Sequence, residues 1–327
     1  MKEVTIGKNQ SGQRLDKFLA KYMREASKGF LYKMLRKKNI KLNGVKAQGN
    51  ETLREGDVVT LFLSDETIER FTKKQPVPDR RDARLDIIYE NEHVALINKP
   101  AGLLSQKAKP DDTSLVEYFA AYVGHTEEAF SPGICNRLDR NTSGIVIAGK
   151  TLAGLQRMSE IIRERQLAKY YLAVVNGEMR EGGIISGYLK KDRRTNKVEL
   201  FPEEAPGSDY IRTGYEPLCS DGRFTLVRVR LYTGKTHQIR SHLSSMSHPI
   251  AGDVKYGGRV AGSRIDRQLL HAYEIVFPVL EEPFADLSGR RFQAPVPDDF
   301  YREECVKKLL ERMRNDETGS DVICGRI

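Results

Sequence analysis

The chain has 327 residues, a length that suggests two or three domains. Its apolar share of 39% and charged share of 30% exclude the disordered, collagen-like and membrane classes. No apolar run approaches the roughly 20 residues of a bilayer span, and the first ten residues lack the apolar run of a secretory signal, so we expect a cytoplasmic protein. Four widely spaced cysteines indicate reduced thiols rather than a disulfide framework or a zinc ribbon.

The net charge of +9 is concentrated near the N-terminus. Residues 1–65 contain 14 Lys and Arg against 7 Asp and Glu, a net +7. Its densest part carries the candidate phosphate contacts Lys33, Arg36, Lys37 and Lys38. An ordinary solvated helix face would have acids interspersed, so the pattern favours contact with RNA or DNA.

The first 65 residues predict a compact α+β unit. Apolar side chains recur at helical spacing over 13–24 and again over 29–38, which predicts two short amphipathic helices. Residues 40–47 predict a hairpin that turns at Asn43-Gly44, and a further strand follows. Residues 66–84 are charged and contain two prolines, and we interpret them as a linker.

A larger domain is predicted over residues 85–313, followed by a loose polar tail at 314–327. It begins with two strands around a turn at 90–92 and a helix near 114–123. Short apolar runs then alternate with Gly, Asn and charged turns, which predicts a mainly antiparallel sheet in an α+β fold. A closing helix is expected within 298–313.

One motif favours a different class of protein. Residues 144–151 match the phosphate-loop pattern of two glycines followed by lysine and threonine, which alone would indicate an NTPase. However, the preceding segment is polar and residues 145–148 are themselves typical of a strand. We rank the NTPase hypothesis last.

Two polar segments carry candidate chemistry. In residues 135–144, Asp139 lies between Arg137 and Arg140, whose charges favour an ionised carboxylate that acts as a nucleophile or simply forms a structural ion pair. In residues 233–242, His237, Gln238 and Arg240 form a donor-rich set suited to a phosphate or a carboxylate. The histidine spacing there is not that of a helical metal site, and we expect no metal.

Four ordered motifs resemble the Rlu-type family of pseudouridine synthases. They are Asn-Arg-Leu-Asp-Arg-Asn-Thr-Ser-Gly at 136–144, Lys-Tyr-Tyr-Leu-Ala at 169–173 with Gly177, Thr-Gly-Lys-Thr-His-Gln-Ile-Arg-x-His at 233–242, and Pro-Ile-x-Gly-Asp at 249–253 with Tyr256-Gly257. The N-terminal unit resembles the RNA-binding domain named after ribosomal protein S4. The family's loop usually reads His-Arg-Leu-Asp-Arg-Asp, whereas Asn136 and Asn141 occupy the outer positions here.

The resemblance implies an isomerase that detaches uracil from ribose at N1, rotates it and rejoins it through C5, without cofactor or metal. It implies Asp139 as the catalytic carboxylate, Arg240 as its partner, and Tyr171 against the uracil ring. A uridine in folded RNA must be flipped out, and Arg137 is the candidate wedge. The further candidate RNA contacts are Arg140, Lys169, Lys235, Thr236, His237 and Gln238.

The expected substrate is large-subunit (23S) ribosomal RNA or a precursor of the 50S particle, and we infer no obligate protein partner. The alternative is a non-catalytic RNA-binding or ribosome-assembly protein. It would explain the basic N-terminal unit but would not need Asp139, Tyr171 and Arg240 in three separate motifs.

Overall fold

A computed structural model describes residues 1–72, 84–109, 111–124, 130–192 and 197–320. None of the helices in this part of the chain is long and apolar enough to cross a bilayer. The fold is α+β, as predicted, with one small sheet near the N-terminus and one large sheet beyond residue 84.

The N-terminal unit is a four-stranded antiparallel sheet packed against helices. Its elements are β1 (Lys2–Thr5), α1 (Leu15–Tyr22), α2 (Lys28–Arg36), β2 (Ile40–Leu42), β3 (Val45–Lys46), β4 (Val58–Leu61) and α3 (Asp65–Thr72). The strand order is β1-β4-β2-β3. Both predicted helices bury their apolar side chains in one core, and Ser27 caps α2 by accepting a hydrogen bond from the backbone of Phe30.

The predicted hairpin is confirmed. Asn43 and Gly44 both have positive φ, 50° and 76°, as the tight turn between β2 and β3 requires. The expected linker starts later than predicted, because residues 65–72 form α3. Ile68 and Phe71 on α3 pack into the N-terminal core. Two apolar residues among charged neighbours are too few to predict an amphipathic helix from the sequence. Residues 73–83 of the expected linker lie outside the described residues.

The larger unit is built on an eleven-stranded sheet. Its strands are β5 (Ile87–Glu90), β6 (Val94–Lys99), β7 (Gly133–Ile134), β8 (Ser143–Gly149), β9 (Ala168–Asn176), β10 (Gly183–Lys191), β11 (Val198–Phe201), β12 (Asp209–Ser220), β13 (Phe224–Leu231), β14 (Leu270–Val276) and β15 (Arg291–Gln293). Its helices are α4 (Leu115–Val123), α5 (Leu152–Arg163), α6 (Gln238–Ser245) and α7 (Glu304–Ser320). The order is β11-β10-β12-β13-β9-β14-β8-β6-β5, with β15 on β14 and β7 on β8. Every pairing is antiparallel except β14 with β8.

Alternating side chains give the large sheet two separate apolar faces. On β9, Tyr171 and Ala173 face a core shared with α4 and α6, whereas Leu172 and Val174 face a core shared with α7. Nearer the other edge, a third core packs against α5. We call the α4 and α6 side the front face and the α5 and α7 side the back face. Successive side chains of a strand therefore pack alternately into the front and the back core.

The phosphate-loop pattern is a strand. Residues 143–149 are all buried as β8, between β6 and β14, so the segment offers no open loop for a nucleotide phosphate. Lys150 forms an ion pair with Glu90 at 2.5 Å and donates to the carbonyl of Asn91 at 2.8 Å. This placement contradicts the NTPase hypothesis.

The C-terminal tail also differs from expectation. The closing helix is confirmed, but α7 continues through residues 314–320, which were predicted to be loose. The apolar side chains of its first half anchor the helix on the back face, and the polar second half extends it. Residues 321–327 of the expected tail lie outside the described part of the chain.

Gly144 allows β8 and β14 to approach closely at the centre of the large sheet. It has φ of +107°, and a methyl group there would collide with the backbone of Ala272 across the parallel pairing. We expect Gly144→Ala to lower the free energy of unfolding by about 2 to 5 kcal/mol, through backbone strain and overpacking. Thermal or denaturant unfolding measures this. Gly133→Ala on β7 is the matched control, since its methyl would meet Leu155 at 3.7 Å, an ordinary contact. Equal stabilities of the two variants would contradict this account.

Candidate active site

The loop that carries Asp139 lies between β7 and β8 on the front face. Asn136 anchors its start, because its side-chain oxygen accepts from the backbone of Ile147 at 2.8 Å and its amide donates to the carbonyl of Ile145 at 3.4 Å. Buried Leu138 packs into the front core. Asn136, one of the two departures from the loop of the family that the sequence resembles, therefore ties the loop to β8.

The segment that follows β6 holds the loop on both sides of Asp139. The Ser105 hydroxyl donates to the Leu138 carbonyl at 2.7 Å and accepts from the Leu138 backbone N–H at 3.0 Å. On the other side, the Arg140 carbonyl accepts from the backbone of Gly102 at 2.9 Å. Two neighbours of the carboxylate are thus fixed in place.

Lys99 supports the same loop from inside the protein. Its side chain is fully buried, and its ammonium donates to the carbonyls of Pro100, Leu103 and Arg140 at 2.8–3.1 Å. Burial lowers the pKa of Lys99 to about 7, and the nearby Arg267 adds to that shift. All three donors of the ammonium are satisfied, so Lys99 acts as an internal clamp.

Arg240 on α6 joins the Asp139 loop to a second carboxylate. Its guanidinium donates through Nη1 to Asp139 Oδ2 at 2.8 Å, and through Nε and Nη2 to both oxygens of Asp253 at 2.6 and 2.9 Å. Although burial alone would lower the pKa of Arg240, these two carboxylates raise it. Asp253 is 1% exposed, whereas the Asp139 side chain keeps 26% of its surface exposed. The bidentate pair aims one nitrogen at a carboxylate that is still accessible.

His237 lies beside the same carboxylate. It precedes α6 with φ of 56°, and its Nε2 is 3.8 Å from Asp139 Oδ2, beyond hydrogen-bonding distance. Its Nδ1 is 2.8 Å from the hydroxyl of Tyr256. Burial lowers the pKa of His237 to about 4, so the imidazole is neutral at pH 7.

Tyr171 reaches the site from β9. Its ring is 7% exposed in the front core, and its hydroxyl has no hydrogen-bond partner within the described residues. Burial, and then the charge of Asp139, raise the pKa of Tyr171, which keeps its phenol protonated at neutral pH. An unbonded hydroxyl near a carboxylate is available to a bound molecule.

Gln238 lies apart from the exposed candidates. Its side chain is buried, and its oxygen accepts from Thr233 and from the backbone of Lys235. Its nitrogen donates to the Arg212 carbonyl and to Thr213. The four hydrogen bonds use the whole capacity of the amide, which leaves none for RNA.

The other candidate contacts differ in accessibility. Arg137 and Arg140 are exposed, and Arg140 Nε donates to the Gly102 carbonyl. Thr236 and Lys169 are half-buried, and burial lowers the pKa of Lys169. Lys235 is exposed but forms an ion pair with Asp209 at 2.7 Å.

The basic residues of the N-terminal unit are placed together at the end of α2. Lys33 and Arg36 lie on the helix, Lys37 caps it, and Lys38 follows with φ of 61°. All four side chains are exposed, and no acid of the described residues pairs with them within 4 Å. They form an accessible patch of positive charge.

Two further histidines form hydrogen bonds within the fold. His242 Nδ1 pairs with Thr213 and His248 Nδ1 with the Asn176 carbonyl. Within the described residues, no three side chains of His, Cys, Asp or Glu cluster as metal ligands would.

Comparison with known proteins identifies the family of the chain. Residues 93–245 match the RNA pseudouridylate synthase family model, and residues 13–59 match the S4 domain model. A Xylella fastidiosa protein named ribosomal large subunit pseudouridine synthase D is 32% identical, over 96% of this chain and 93% of its own length. This chain belongs to the RNA pseudouridine synthase family.

Other relatives and solved structures agree. A synthase D from Escherichia coli is 30% identical over 96% of this chain and 94% of its own length. A synthase C from Vibrio vulnificus is 31% identical over 86% and 90%. Human RNA pseudouridylate synthase domain containing 4 shares the fold, with a TM-score of 0.54 at 23% identity, covering 70% of this chain and 92% of that chain.

The chain is therefore an isomerase that converts uridine to pseudouridine in RNA. The RNA-binding S4 domain at the N-terminus is likewise confirmed. Nothing in the comparisons supports the non-catalytic alternative.

Sequence reasoning missed three supporting residues of the site. Asp253 and Tyr256 lie within a motif that was recognised but given no chemical role, and Lys99 was not singled out. A lysine at the end of β6, after the apolar residues 94–97 and Asn98, is the one local signal, since a buried ammonium needs several acceptors. Asp253 pairs with Arg240 and Tyr256 with His237, and only the folded position of α6 brings these residues together.

Asp253 provides the first test of the site. We expect Asp253→Asn to slow single-turnover isomerisation at saturating RNA by about 100-fold, because Arg240 loses its clamp and Asp139 its fixed position. RNA affinity should stay near that of the parent.

The matched control is Glu274→Gln. Glu274 is an equally buried acid that pairs with Arg228 on the back face at 2.8 Å. Both substitutions break a buried ion pair and should cost about 3 to 5 kcal/mol of stability. If Glu274→Gln slowed the reaction as much as Asp253→Asn, the effect would be one of stability and not of positioning.

Proposed function

We propose that this enzyme isomerises specific uridines of large-subunit ribosomal RNA, with Asp139 as its catalytic carboxylate. The relatives named above support the choice of RNA, since each of the bacterial proteins is named a ribosomal large subunit pseudouridine synthase. The observation that carries the catalytic assignment is the contact of Arg240 with an Asp139 carboxylate that is still partly exposed.

The reaction breaks the bond between N1 and the ribose C1′ and forms one between C5 and C1′. The hydrogen on C5 is lost and N1 gains one, so there is no net redox change. Asp139 attacks the sugar, attacks the base, or removes a sugar proton, and each route needs an ionised carboxylate with an accessible oxygen. Arg240 donates a hydrogen bond to the carboxylate and limits its rotation.

Tyr171 packs against the uracil ring in this proposal. Because its raised pKa keeps the phenol protonated, the hydroxyl has a hydrogen to donate to the bound base. It takes up the C5 proton only as it passes its own proton on. The hydroxyl without a partner among the described residues supports this role.

We further propose that His237 donates its Nε2–H to the bound nucleotide. The hydroxyl of Tyr256 accepts from the backbone of Val198 at 3.2 Å and lies 2.8 Å from His237 Nδ1, and we assign its own hydrogen to that nitrogen. A neutral imidazole whose Nδ1 accepts must carry its proton on Nε2. That proton faces the gap of 3.8 Å beside Asp139.

The remaining candidates divide by accessibility. Exposed Arg137 is the wedge that fills the space left by the flipped uridine. Arg140, Lys169, Lys235 and Thr236 contact the neighbouring backbone, and Lys33, Arg36, Lys37 and Lys38 contact phosphates farther away. Gln238, whose amide is saturated, positions the 233–237 loop instead of touching RNA.

Tritium release tests the reaction and the carboxylate together. Large-subunit rRNA transcript tritiated at uracil C5 should lose tritium with the parent enzyme, because the new carbon–carbon bond displaces that hydrogen. We expect Asp139→Asn to release none above background while it still binds the RNA. Asp266→Asn is the control, since Asp266 forms only an exposed ion pair with Arg302. Equal release by the parent and Asp139→Asn would remove Asp139 from the mechanism, and release from tRNA alone would contradict the rRNA assignment.

The proposed tautomer of His237 predicts an unusual ranking of variants. Glutamine places its amide nitrogen near the position of Nε2, whereas asparagine places it near Nδ1, so we expect His237→Gln to isomerise faster than His237→Asn. Stability should rank in the opposite order, because asparagine tolerates positive φ better. Single-turnover rates and melting temperatures measure the two rankings. Tyr256→Phe, which removes the hydrogen directed at Nδ1, should also slow the reaction. Rates that follow stability would refute the role of Nε2–H.

A further inference from the structure

A row of alternating arginines and tyrosines crosses the back face of the sheet, opposite the catalytic side chains. Arg212 and Arg230 lie over the ring of Tyr232, with guanidinium carbons 4.9 and 4.7 Å from its centroid. Arg230 also lies 5.9 Å, and Arg228 4.3 Å, from the ring of Tyr170. We call these five side chains the Arg–Tyr row.

The row occupies a part of the sheet that α7 leaves open. On β13, Phe224 and Leu226 pack against α7, whereas Arg228 and Arg230 continue the same face beyond it. The neighbouring side chains Val227 and Val229 point to the front core. Arg228 and Arg230 therefore point away from the active site and do not contribute to it directly.

Two arginines of the row, Arg212 and Arg230, carry charges that no acid among the described residues neutralises. Arg228 pairs with buried Glu274 at 2.8 Å. Arg212 and Arg230 are exposed, and no acid within the described ranges lies within 4 Å of their guanidinium groups. The neighbouring Asp209 pairs with Lys235 instead. Stacking on Tyr232 limits the motion of both guanidinium groups, which lowers the entropic cost of binding a ligand.

An open cleft lies beside the free end of the row. Its volume is about 260 Å³, and Arg212, Arg230 and Tyr232 line it together with Arg165 and Tyr210. Arg165 is also exposed and has no acidic partner among the described residues. Three arginines thus converge on a space large enough for a phosphate group and part of its sugar.

The cleft is connected to the active site by a short loop. The Arg212 carbonyl accepts from buried Gln238, which begins α6 and follows His237. Residues 233–237 therefore run directly from the end of β13 to the catalytic face. A nucleic acid leaving the active site past this loop would meet the cleft where β12 begins and β13 ends.

We propose that the Arg–Tyr row and its cleft form a second RNA-binding site, which holds the phosphodiester backbone of a segment flanking the target uridine. This inference depends on RNA as the substrate. Planar guanidinium groups bind phosphate oxygens in pairs, and each contact displaces condensed counterions. The site adds affinity and orients the RNA, and takes no part in the chemical step.

The test is the salt dependence of RNA binding by the double variant Arg212→Gln and Arg230→Gln. Affinity for large-subunit rRNA transcript is measured over a series of salt concentrations. We expect the slope of log K against log salt concentration to become shallower by about 2, roughly 0.9 per lost phosphate contact. The single-turnover rate at saturating RNA should remain that of the parent.

Arg223→Gln is the matched control. Arg223 is an exposed arginine at the other end of the same chain segment, with its guanidinium carbon 5.0 Å from the Phe224 ring centroid. The control should leave the slope unchanged. The charge-retaining double variant Arg212→Lys and Arg230→Lys should keep the parent slope, since lysine preserves both positive charges.

Three results would overturn the proposal. They are a parent-like slope in the glutamine variant, an equal change in Arg223→Gln, and loss of slope in the lysine variant. A parent-like slope would indicate instead that the Arg–Tyr row stabilises the sheet or binds an acidic protein. Binding is measured independently of turnover, so failure here is distinguishable from an error in the catalytic assignment.

Discussion

The position of Arg240 between two carboxylates is the constraint on which the site depends. A buried guanidinium needs its charge neutralised, and Asp253 supplies this through both of its oxygens. The remaining nitrogen then has one direction available, toward Asp139. A lysine in place of Arg240 could neutralise the same carboxylates, but its rotatable ammonium would not fix that direction.

The large sheet provides the frame for this interaction. Asp139 and Arg240 are 101 positions apart in the chain, and the loop of one and the helix of the other both pack on the front face. Asp253 follows Ile250, which bridges to Val175 of β9, so the second carboxylate is registered to the strand that carries Tyr171. Lys99 and Ser105 also hold the loop, by donating hydrogen bonds to the carbonyls of Arg140 and Leu138.

Local patterns predicted the elements whose signal is contained in a few residues. The Asn43-Gly44 turn, the two N-terminal helices and the buried strand at 143–149 are of this kind. Recognition of Asp139, Tyr171 and Arg240 depended instead on resemblance, because composition alone made a structural ion pair the simpler interpretation. The saturation of Gln238 and the clamp by Asp253 arise from long-range packing, which no window of sequence contains. Likewise, the sequence did not predict α3, because the helix is stabilised by packing of Ile68 into the N-terminal core.

The three charged side chains at the centre of the site do not by themselves attract RNA. Asp139, Asp253 and Arg240 together carry a net charge of −1, and His237, whose pKa burial lowers to about 4, adds none at neutral pH. A partly exposed anion is what the chemistry needs, yet it repels the phosphates on either side of the target. Cations that do not contact the catalytic carboxylate attract RNA without neutralising it. The end of α2 and the back of the sheet are both suited to that task, because each offers exposed cations without acidic partners among the described residues. The separation of charge between the site and these surfaces thus reconciles catalysis by an anion with binding of a polyanion.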